Sequence, residues 1–384
     1  MKMIRTTAEL SAFCAKASTF DYVTLDTEFL RERTYYSKLC LVQIAVPDTG
    51  PDSAVLVDTL SGKLKLDPLF ELFKDTSTVK VFHAARQDLE IFYFEGGVFP
   101  QPFFDTQIAA MVCGFGEQVG YETLVRKIVH TGLDKSSRFT DWSQRPLSEK
   151  QMKYALADVT HLRDIYEFLA DKIAKSNRTA WVEEEVQVLV SPKTYDIDPQ
   201  EAWIRVKTRN TSGKLLAVVR ELAKFREIYA REQNVPRARI YKDDAMLEVA
   251  ANKPKSLADL GKSRLLLREA RRGPIASGIL AAVKAGVDCA PEDYPTAKPQ
   301  RIRANGTEAL SELLRVLLKA KAQKAGVAQK LIATSAELDE IASGNDSPAL
   351  NGWRNDVFGK DARKLCDGKI ALSAKGSAVN IVKI

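Results

Sequence analysis

The first half of the chain alternates short apolar runs with segments of helical periodicity. Runs typical of strands lie at 22–26, 39–46, 54–58, 79–82 and 103–105. The first three are joined by connections too short for a helix, which predicts an antiparallel meander. Apolar residues recur with helical spacing over 8–18, 67–74, 86–95, 106–113, 119–130 and 148–172. This order predicts a mixed sheet covered by helices, an α/β domain over 1–195.

The second half carries helical patterns without strand patterns. The segment 191–200 is rich in Pro, Asp and Ser, and from 214 onwards the apolar residues fall close to one helical face. A second linker at 289–300 holds three prolines and precedes a block at 306–384, which we predict to be all-helical. We therefore expect two all-α helical domains, over 205–289 and 300–384, after the α/β domain.

The net charge of +7 conceals a division between the two halves of the chain. Residues 1–199 carry 23 Lys and Arg against 29 Asp and Glu, a net charge of −6. Residues 200–384 carry 34 against 21, a net charge of +13. An acidic half joined to a basic half indicates a chemical unit followed by a region that attracts a polyanion. A basic surface kept only for solubility is the alternative.

The cysteines and the apolar segments exclude several classes of protein. The 5 cysteines are scattered and never spaced as CxxC, so neither a disulfide framework nor a zinc site is predicted. No run of about 18 apolar residues exists, and the polar N-terminus lacks the apolar core of a secretory signal. We expect a cytoplasmic protein with no membrane contact and no obligate protein partner.

Two carboxylates occupy a segment that otherwise reads as a buried strand, TLDTEFL at 24–30. Asp26 and Glu28 are two residues apart, so they share one face of the strand. Like charges about 4 Å apart repel by roughly 4 kcal/mol at an effective dielectric constant near 20. Asp88, in the first turn of the predicted helix 86–95, and Asp158 could converge with them at one edge of the sheet. Such a set of hard oxygen ligands suits Mg²⁺ or Mn²⁺, and a cation pair would offset the repulsion.

A tyrosine accompanies the last of these carboxylates. Tyr154 and Asp158 lie at i and i+4 on a predicted helix, hence on one face. Two divalent cations about 3.5–4 Å apart form the arrangement that hydrolyses phosphodiesters. A tyrosine one turn before a ligand could orient the attacking water. Its ordinary pKa near 10 makes it a poor base.

The segments around these residues resemble the ribonuclease D family, in the tyrosine-bearing branch of the DEDD superfamily of 3′–5′ exonucleases. The first exonuclease motif is matched by LDTEFLRERTYYSKLCLVQIA at 25–45. The second is matched by FHAARQDLEIF at 82–92, and the third by DWSQRPLSEKQMKYALADVTHL at 141–162. Residues 200–288 resemble the HRDC domain, and the final block resembles the divergent second helical module of the family.

The resemblance implies a ribonuclease H-like fold, two metal ions, and release of nucleoside 5′-monophosphates from RNA 3′ ends. It implies precursor tRNA and other structured RNAs as substrates. Asp26, Glu28 and Asp158 would hold the first metal. Asp26 and Asp88 would hold the second, with Asp88 acting through water or at longer range. Tyr154 would orient the nucleophilic water.

Several neighbouring residues have two readings. Phe29 would stack on the terminal base or pack in a core, and His83 would contact a substrate phosphate or make a structural hydrogen bond. The loop residues Arg31, Arg33, Tyr35 and Tyr36 would contact phosphate, or form a solvated loop with packed tyrosines. We expect His161 to be structural or exposed, and Asp105 to cap the helix that follows it.

Two other functions share the same residues. A DNA exonuclease of proofreading type would use the same carboxylates, although no polymerase module accompanies the domain. In a non-catalytic nucleic-acid-binding protein, the helical modules would carry the function and the exonuclease fold would be a scaffold.

Overall fold

The computed structural model describes residues 1–134, 136–208, 212–296 and 306–384. These residues form two units. The first comprises 1–28, 40–190 and the described part of 301–384, and the second comprises 29–39 and the described part of 191–300. The predicted boundary at 300 lies outside the described residues, and the domain limits 1–195, 205–289 and 300–384 stay a prediction.

Within the described residues, six strands form a mixed sheet in the order β1-β4-β3-β2-β5-β6. Strands β3 and β4 pair antiparallel, whereas the pairs β1/β4, β2/β5 and β5/β6 are parallel. The predicted strands are confirmed, and the sequence missed β1 because three residues are too few to show an alternating pattern. The strands are β1 Lys2–Ile4, β2 Tyr22–Leu30, β3 Lys38–Ala45, β4 Ala54–Val57, β5 Val79–Phe82 and β6 Phe103–Asp105.

The helices predicted for the first half are confirmed. Ser148 and Gln151 form a capping box that starts the long helix α6, and Thr6 and Glu9 do the same for α1. An additional helix, α7, follows α6. The helices are α1 Thr7–Ala17, α2 Asp67–Lys74, α3 Arg86–Gly96, α4 Thr106–Val112, α5 Tyr121–Leu124 with the π-helical turn Val125–Val129, α6 Glu149–Lys175 and α7 Thr179–Gln187.

The second unit has a helical core built on two long helices, α8 and α12. A Cβ atom added to Gly286 of α12 would lie 2.4 Å from the Val218 Cα of α8, so the close crossing of these helices requires glycine. Short 3₁₀ turns occupy Pro192–Thr194, Pro199–Arg205, Glu269–Arg271 and Pro291–Asp293. The helices are α8 Gly213–Glu232, α9 Arg237–Ile240, α10 Asp243–Asn252, α11 Leu257–Gly261 and α12 Gly273–Val287.

The C-terminal block is helical up to residue 366 and ends in a β-hairpin, so the all-helical prediction for 306–384 is wrong at its end. The hairpin turns at Gly376, which has a positive φ of 59°, and alternating β-branched residues follow the turn. The elements are α13 Glu308–Ala325, α14 Gln329–Ile332, α15 Ser335–Ala342, the 3₁₀ turn Pro348–Leu350, α16 Gly352–Arg354, the π turn Asn355–Gly359, α17 Lys360–Cys366, β7 Ile370–Lys375 and β8 Ala378–Lys383.

This block shares a hydrophobic core with α4, α6 and α7 inside the first unit. Trp353 stacks on Trp181 of α7 with ring centroids 4.4 Å apart. Arg354 pairs with Glu184 at 2.6 Å and also with Glu185. The C-terminal block therefore packs on the helices that cover the sheet.

The five cysteines are free thiols. None of the helices in the described part of the chain combines the length and apolar character needed to cross a bilayer.

Candidate active site

The carboxylates of the opening strand meet a third one from α6. One ligand oxygen from each of Asp26, Glu28 and Asp158 lies within 4.8 Å of the other two. The i, i+2 spacing on β2 places Asp26 and Glu28 side by side, as the sequence predicts. Three carboxylates at this separation form a compact set of hard oxygen ligands.

Two hydrogen bonds fix α6 on either side of Asp158. The Thr24 hydroxyl on β2 donates to the Val159 carbonyl at 2.8 Å. The Tyr121 hydroxyl donates to the Ala157 carbonyl at 2.9 Å. Because both bonds reach carbonyls adjacent to Asp158, they hold this carboxylate in register with the strand. No sequence pattern indicates the Tyr121 contact, which joins residues 36 positions apart.

Asp88 lies beside this set rather than in it. Its buried carboxylate accepts a hydrogen bond from the hydroxyl of Thr27, the residue between Asp26 and Glu28. Its negative charge also acts on Asp26, where it raises the pKa after the larger effect of burial. The structure thus brings three of the four predicted ligands together directly and places the fourth next to the strand.

Asp105 organises the loop that carries Asp88. Its carboxylate caps α4 by accepting from Gln107 N at 2.8 Å, which confirms the predicted cap. It also accepts from Ala84 N at 3.1 Å and from Ala85 N at 2.9 Å. Ala85 is the N-cap residue of α3, which has no side-chain cap of its own. Asp105 therefore holds the start of the Asp88 helix as well as its own.

Burial raises the pKa values of these four carboxylates, and for Asp26 and Glu28 the neighbouring negative charges add to the rise. Burial, followed by the charges of Asp158 and Asp88, raises the pKa of Glu28 to about 9. Burial raises the pKa of Asp88 and of Asp158 to about 7. Burial and the charges of its carboxylate neighbours raise the pKa of Asp26 well above its ordinary range. Among the described residues, the Arg138 charge opposes this rise only in part for Glu28 and Asp158, and added positive charge would favour the ionised forms.

Tyr154 lies one turn before Asp158, and its hydroxyl opposes the rise in the pKa of the Asp158 carboxylate. Burial and the neighbouring carboxylates raise the pKa of Tyr154 well above its ordinary value, so its hydroxyl stays protonated at neutral pH. The Trp142 ring lies beside it with centroids 6.1 Å apart. This position agrees with the predicted pairing at i and i+4.

A cavity of about 240 Å³ opens beside the carboxylates. His83 lines it, with Nδ1 3.0 Å from the Thr106 hydroxyl and its ring 5.5 Å from that of Tyr121. Burial lowers the pKa of His83, so the ring is neutral near pH 7. His83 therefore makes a structural hydrogen bond and also faces the cavity, and its contact with substrate stays a prediction.

Arg138 lines the cavity, although no sequence pattern predicts that it does. It lies in the turn before the third motif. Its positive charge partly offsets the effect of burial on Glu28, Asp158 and Tyr154. A lone arginine in a loop carries no periodicity or spacing by which it could be recognised.

The remaining candidates lie elsewhere. Phe29 belongs to the second unit and is half-buried, so its stacking on a base stays a prediction. Tyr35 packs on the second unit's own helices, where its hydroxyl binds Glu227, Arg231 and Arg237. Arg31 and Arg33 are exposed, which matches the reading of a solvated loop with packed tyrosines. His161 is half-buried and does not belong to the set formed by Asp26, Glu28 and Asp158.

Comparison with known proteins gives matches along the whole chain. Residues 1–174 match a family model described as 3′–5′ exonuclease, and residues 216–274 match the HRDC domain model. A ribonuclease D from Jannaschia sp. (strain CCS1) is 59% identical over 382 residues, covering 99% of each chain. A ribonuclease D from Bartonella henselae is 45% identical over 384 residues, covering 99% of this chain and 93% of the relative.

A solved structure agrees with these matches. The crystal structure of RNase D from Escherichia coli, described as an exoribonuclease involved in structured RNA processing, superimposes with a TM-score of 0.83. The two chains are 27% identical, and the match covers 96% of this chain and 98% of the other. The expected arrangement of a mixed-sheet exonuclease domain with an HRDC domain is thereby confirmed.

Proposed function

Because the chain belongs to the ribonuclease D family and is a 3′–5′ exoribonuclease acting in RNA processing, we propose that it releases nucleoside 5′-monophosphates by a two-metal mechanism. The observation that supports this mechanism is the set formed by Asp26, Glu28 and Asp158, with ligand oxygens within 4.8 Å. Both the DNA exonuclease of proofreading type and the non-catalytic binding protein are set aside by this family membership.

The residues present fit a pair of divalent cations. Asp26, Glu28 and Asp158 would hold one, and Asp26 with Asp88, at longer range or through water, would hold the other. Carboxylate oxygens are the ligands that Mg²⁺ and Mn²⁺ prefer. The raised pKa values of the four groups indicate that ionisation is disfavoured in the metal-free site, and a bound cation would favour it. When bound, such cations activate a water molecule and stabilise the leaving oxygen.

Tyr154 orients the attacking water in this proposal. Its hydroxyl lies near enough to Asp158 to affect the pKa of that carboxylate, and its oxygen lone pairs can accept a hydrogen bond from water. The raised pKa keeps the proton on the oxygen, which rules out a role as the resting base. We expect Tyr154→Phe to lower kcat roughly 100-fold, the range for general acid–base and orienting groups, without changing the affinity for Mn²⁺.

The experiment that tests the metal assignment measures both trimming and metal binding. Asp26→Ala and Asp26→Asn are assayed on a 5′-labelled RNA with Mg²⁺ or Mn²⁺, and Mn²⁺ binding is followed by electron paramagnetic resonance. We expect at least a 10³-fold loss of rate, because metal catalysis supplies several kcal/mol. Asp164→Asn, an exposed carboxylate on the same helix as Asp158, is the matched control and should retain both properties. An unchanged rate for Asp26→Ala would contradict the assignment of Asp26 as a metal ligand.

We propose precursor tRNA and other structured RNAs as substrates. The net charge of +13 on residues 200–384 supports this, because phosphate backbones are bound chiefly through Lys and Arg. The helices of the C-terminal block support a second, divergent module of HRDC type that grips the RNA body. A tRNA carrying a few extra 3′ nucleotides tests the proposal: trimming should stop near the mature end and weaken steeply with salt.

A further inference from the structure

A turn beside the cavity presents an arginine and a phenylalanine to solvent. Phe139 is 90% exposed, although a large aromatic side chain gains its stability from burial. Arg138 is exposed as well, and its guanidinium carbon lies 5.2 Å from the centroid of the Phe139 ring. An aromatic ring held in water contributes nothing to the core, so its position has to be explained by another contact.

The turn is anchored on both sides. Before the exposed pair, Ser137 is buried, and its carbonyl accepts from the Thr140 hydroxyl at 2.8 Å. The Thr140 hydroxyl accepts in turn from the Gln151 amide at 3.1 Å. After the pair, Trp142 is only 2% exposed. Buried residues on either side therefore fix the turn, and the exposure of Phe139 is part of its fixed geometry.

The arginine faces the reacting groups while the phenylalanine stays outside the cavity. Arg138 lines the cavity together with Asp26, Tyr154 and Asp158. A negatively charged substrate that enters this acidic cavity meets repulsion from the carboxylates. The Arg138 guanidinium, which lines the same cavity, supplies a positive charge and a planar set of donors suited to phosphate oxygens.

We propose that Arg138 and Phe139 form a clamp for the 3′ end of the RNA. Arg138 binds the scissile phosphate, and Phe139 stacks on the base of the nucleotide on its 5′ side. This rests on the exoribonuclease activity and adds two residues to it. Stacking on an aromatic ring accepts any base, which suits an enzyme that removes successive nucleotides regardless of sequence. The guanidinium beside the ring adds a cation–π contact that holds the pair together.

A chemical double-mutant cycle tests the stacking contact. Phe139→Ala and Phe139→Trp are assayed on a single-stranded oligoadenylate and on the same strand with an abasic nucleotide in the penultimate position. We expect Phe139→Ala to raise KM roughly 5- to 100-fold on the intact strand, with kcat within about 2-fold, because a stacked base has a binding effect of that size. Phe139→Trp should stay near the parent enzyme.

On the abasic strand, Phe139→Ala should change nothing, since the base it contacts is missing. Phe168→Ala is the matched control, because Phe168 is 45% exposed on α6, about 15 Å along the helix from Asp158. This control should match the parent enzyme on both strands. An equal effect of Phe139→Ala on the intact and abasic strands would overturn the stacking assignment, as would no effect on either.

Kinetics and metal binding together test the arginine. We expect Arg138→Ala to lower kcat roughly 100-fold, as loss of one preorganised donor to the reacting group does, and Arg138→Lys to restore part of it. The slope of the logarithm of the RNA-binding constant against the logarithm of the salt concentration should decrease in magnitude by about 0.7, the value for one lost phosphate contact on a single strand. Lys153→Ala, which removes an exposed cation paired with Glu149 on the same helix as Tyr154, should leave kcat unchanged.

The Mn²⁺ affinity of Arg138→Ala should equal or exceed that of the parent enzyme, because a positive charge near the carboxylates is removed. This separates failure of the clamp from failure of the metal assignment, which Asp26→Asn tests by itself. Parent-like kcat and salt slope in Arg138→Ala would overturn the role of Arg138. A loss of Mn²⁺ binding in that variant would overturn it too, because it would show that Arg138 supports the ligands.

Discussion

The carboxylate of Glu227 and the carboxylates of the candidate active site have pKa values shifted in opposite directions. In the second unit, Glu227 is 2% exposed and bonds to Arg237, Arg231 and the Tyr35 hydroxyl. Burial would raise the pKa of Glu227, but the hydrogen bonds from Arg237 and Tyr35 outweigh this and lower it. At the candidate active site, burial and mutual repulsion instead raise the pKa of Glu28 to about 9.

The difference distinguishes a structural carboxylate from a functional one. A buried charge whose partners come from the protein is stable without any ligand, and its loss leaves those partners unpaired. A set of partly buried like charges destabilises the fold, and binding of a cation offsets this effect. The same substitution, carboxylate to amide, should therefore have opposite effects on stability at the two places.

The largest effect is expected at Glu227. Glu227→Gln removes the charge that Arg231 and Arg237 share, and breaking a buried ion pair from one side is strongly destabilising. We expect the free energy of unfolding of the second unit to fall by about 3 kcal/mol. Hydrogen–deuterium exchange of α8 in the full chain measures it. Glu221→Gln, whose partner Arg220 is the adjacent residue on the same helix, is the control. A loss no larger than in this control would break the comparison.

The opposite sign is expected at Asp26. Asp26→Asn removes a carboxyl group whose ionisation is opposed by burial and by the neighbouring carboxylates, so the metal-free protein should be more stable at pH 8 by about 2 kcal/mol. Addition of Mg²⁺ or Mn²⁺ should raise the Tm of the parent protein and have little effect on the variant. Asp164→Asn, exposed on α6, should show neither change. A lower Tm for metal-free Asp26→Asn would contradict the idea that the cluster is uncompensated.

Sequence alone predicts which candidate site residues share a face because these relations are local. Asp26 and Glu28 are two residues apart on a strand, and Tyr154 and Asp158 are four apart on a helix. Strand and helix geometry then fix which side chains share a face. The same holds for the predicted helices and strands of the sheet, whose apolar periods are visible in short windows.

Long-range contacts carry no such signal. The bond between Tyr35 and Glu227 joins residues 192 positions apart, and no pattern near either residue predicts it. Arg138 reaches the cavity only because its turn is anchored by Ser137 and Trp142. The hairpin at the C-terminus was missed for a different reason: its alternating residues are mostly exposed, so they lack the apolar contrast that marks a strand.

The pH dependence of stability should also differ between the two places. Asp88 and Asp158 have folded pKa values of about 7 and Glu28 of about 9, all above their unfolded values near 4. A raised folded pKa gives stability at low pH that is lost as the pH rises through that value. We therefore expect the metal-free protein to lose stability as the pH rises from 5 to 9.

Glu227 should contribute nothing to this trend. Its lowered pKa gives stability that is present above about pH 4.5 and lost only in acid. Hydrogen–deuterium exchange compares the two places in one experiment: protection of α6 should fall from pH 5 to pH 9 after correction for intrinsic exchange, and protection of α8 should stay constant. Saturating Mn²⁺ should abolish the fall in α6. A parallel fall in both helices would mean that the carboxylates of the active site do not set the trend.

The smallest effect is expected at Tyr35, and it tests how many partners a compensated carboxylate needs. Tyr35→Phe removes the hydroxyl that donates to Glu227, while both arginines remain bound to that carboxylate. The ring also stays beside Arg237, whose guanidinium carbon lies 4.6 Å from its centroid. We therefore expect a loss of about 1 kcal/mol, the usual net value of one hydrogen bond. Tyr229→Phe on α8, whose hydroxyl has no hydrogen-bond partner among the described residues, should cost less than half of this. A loss near 3 kcal/mol for Tyr35→Phe would mean that the arginines alone do not compensate Glu227, and that the hydroxyl is a required member of the network.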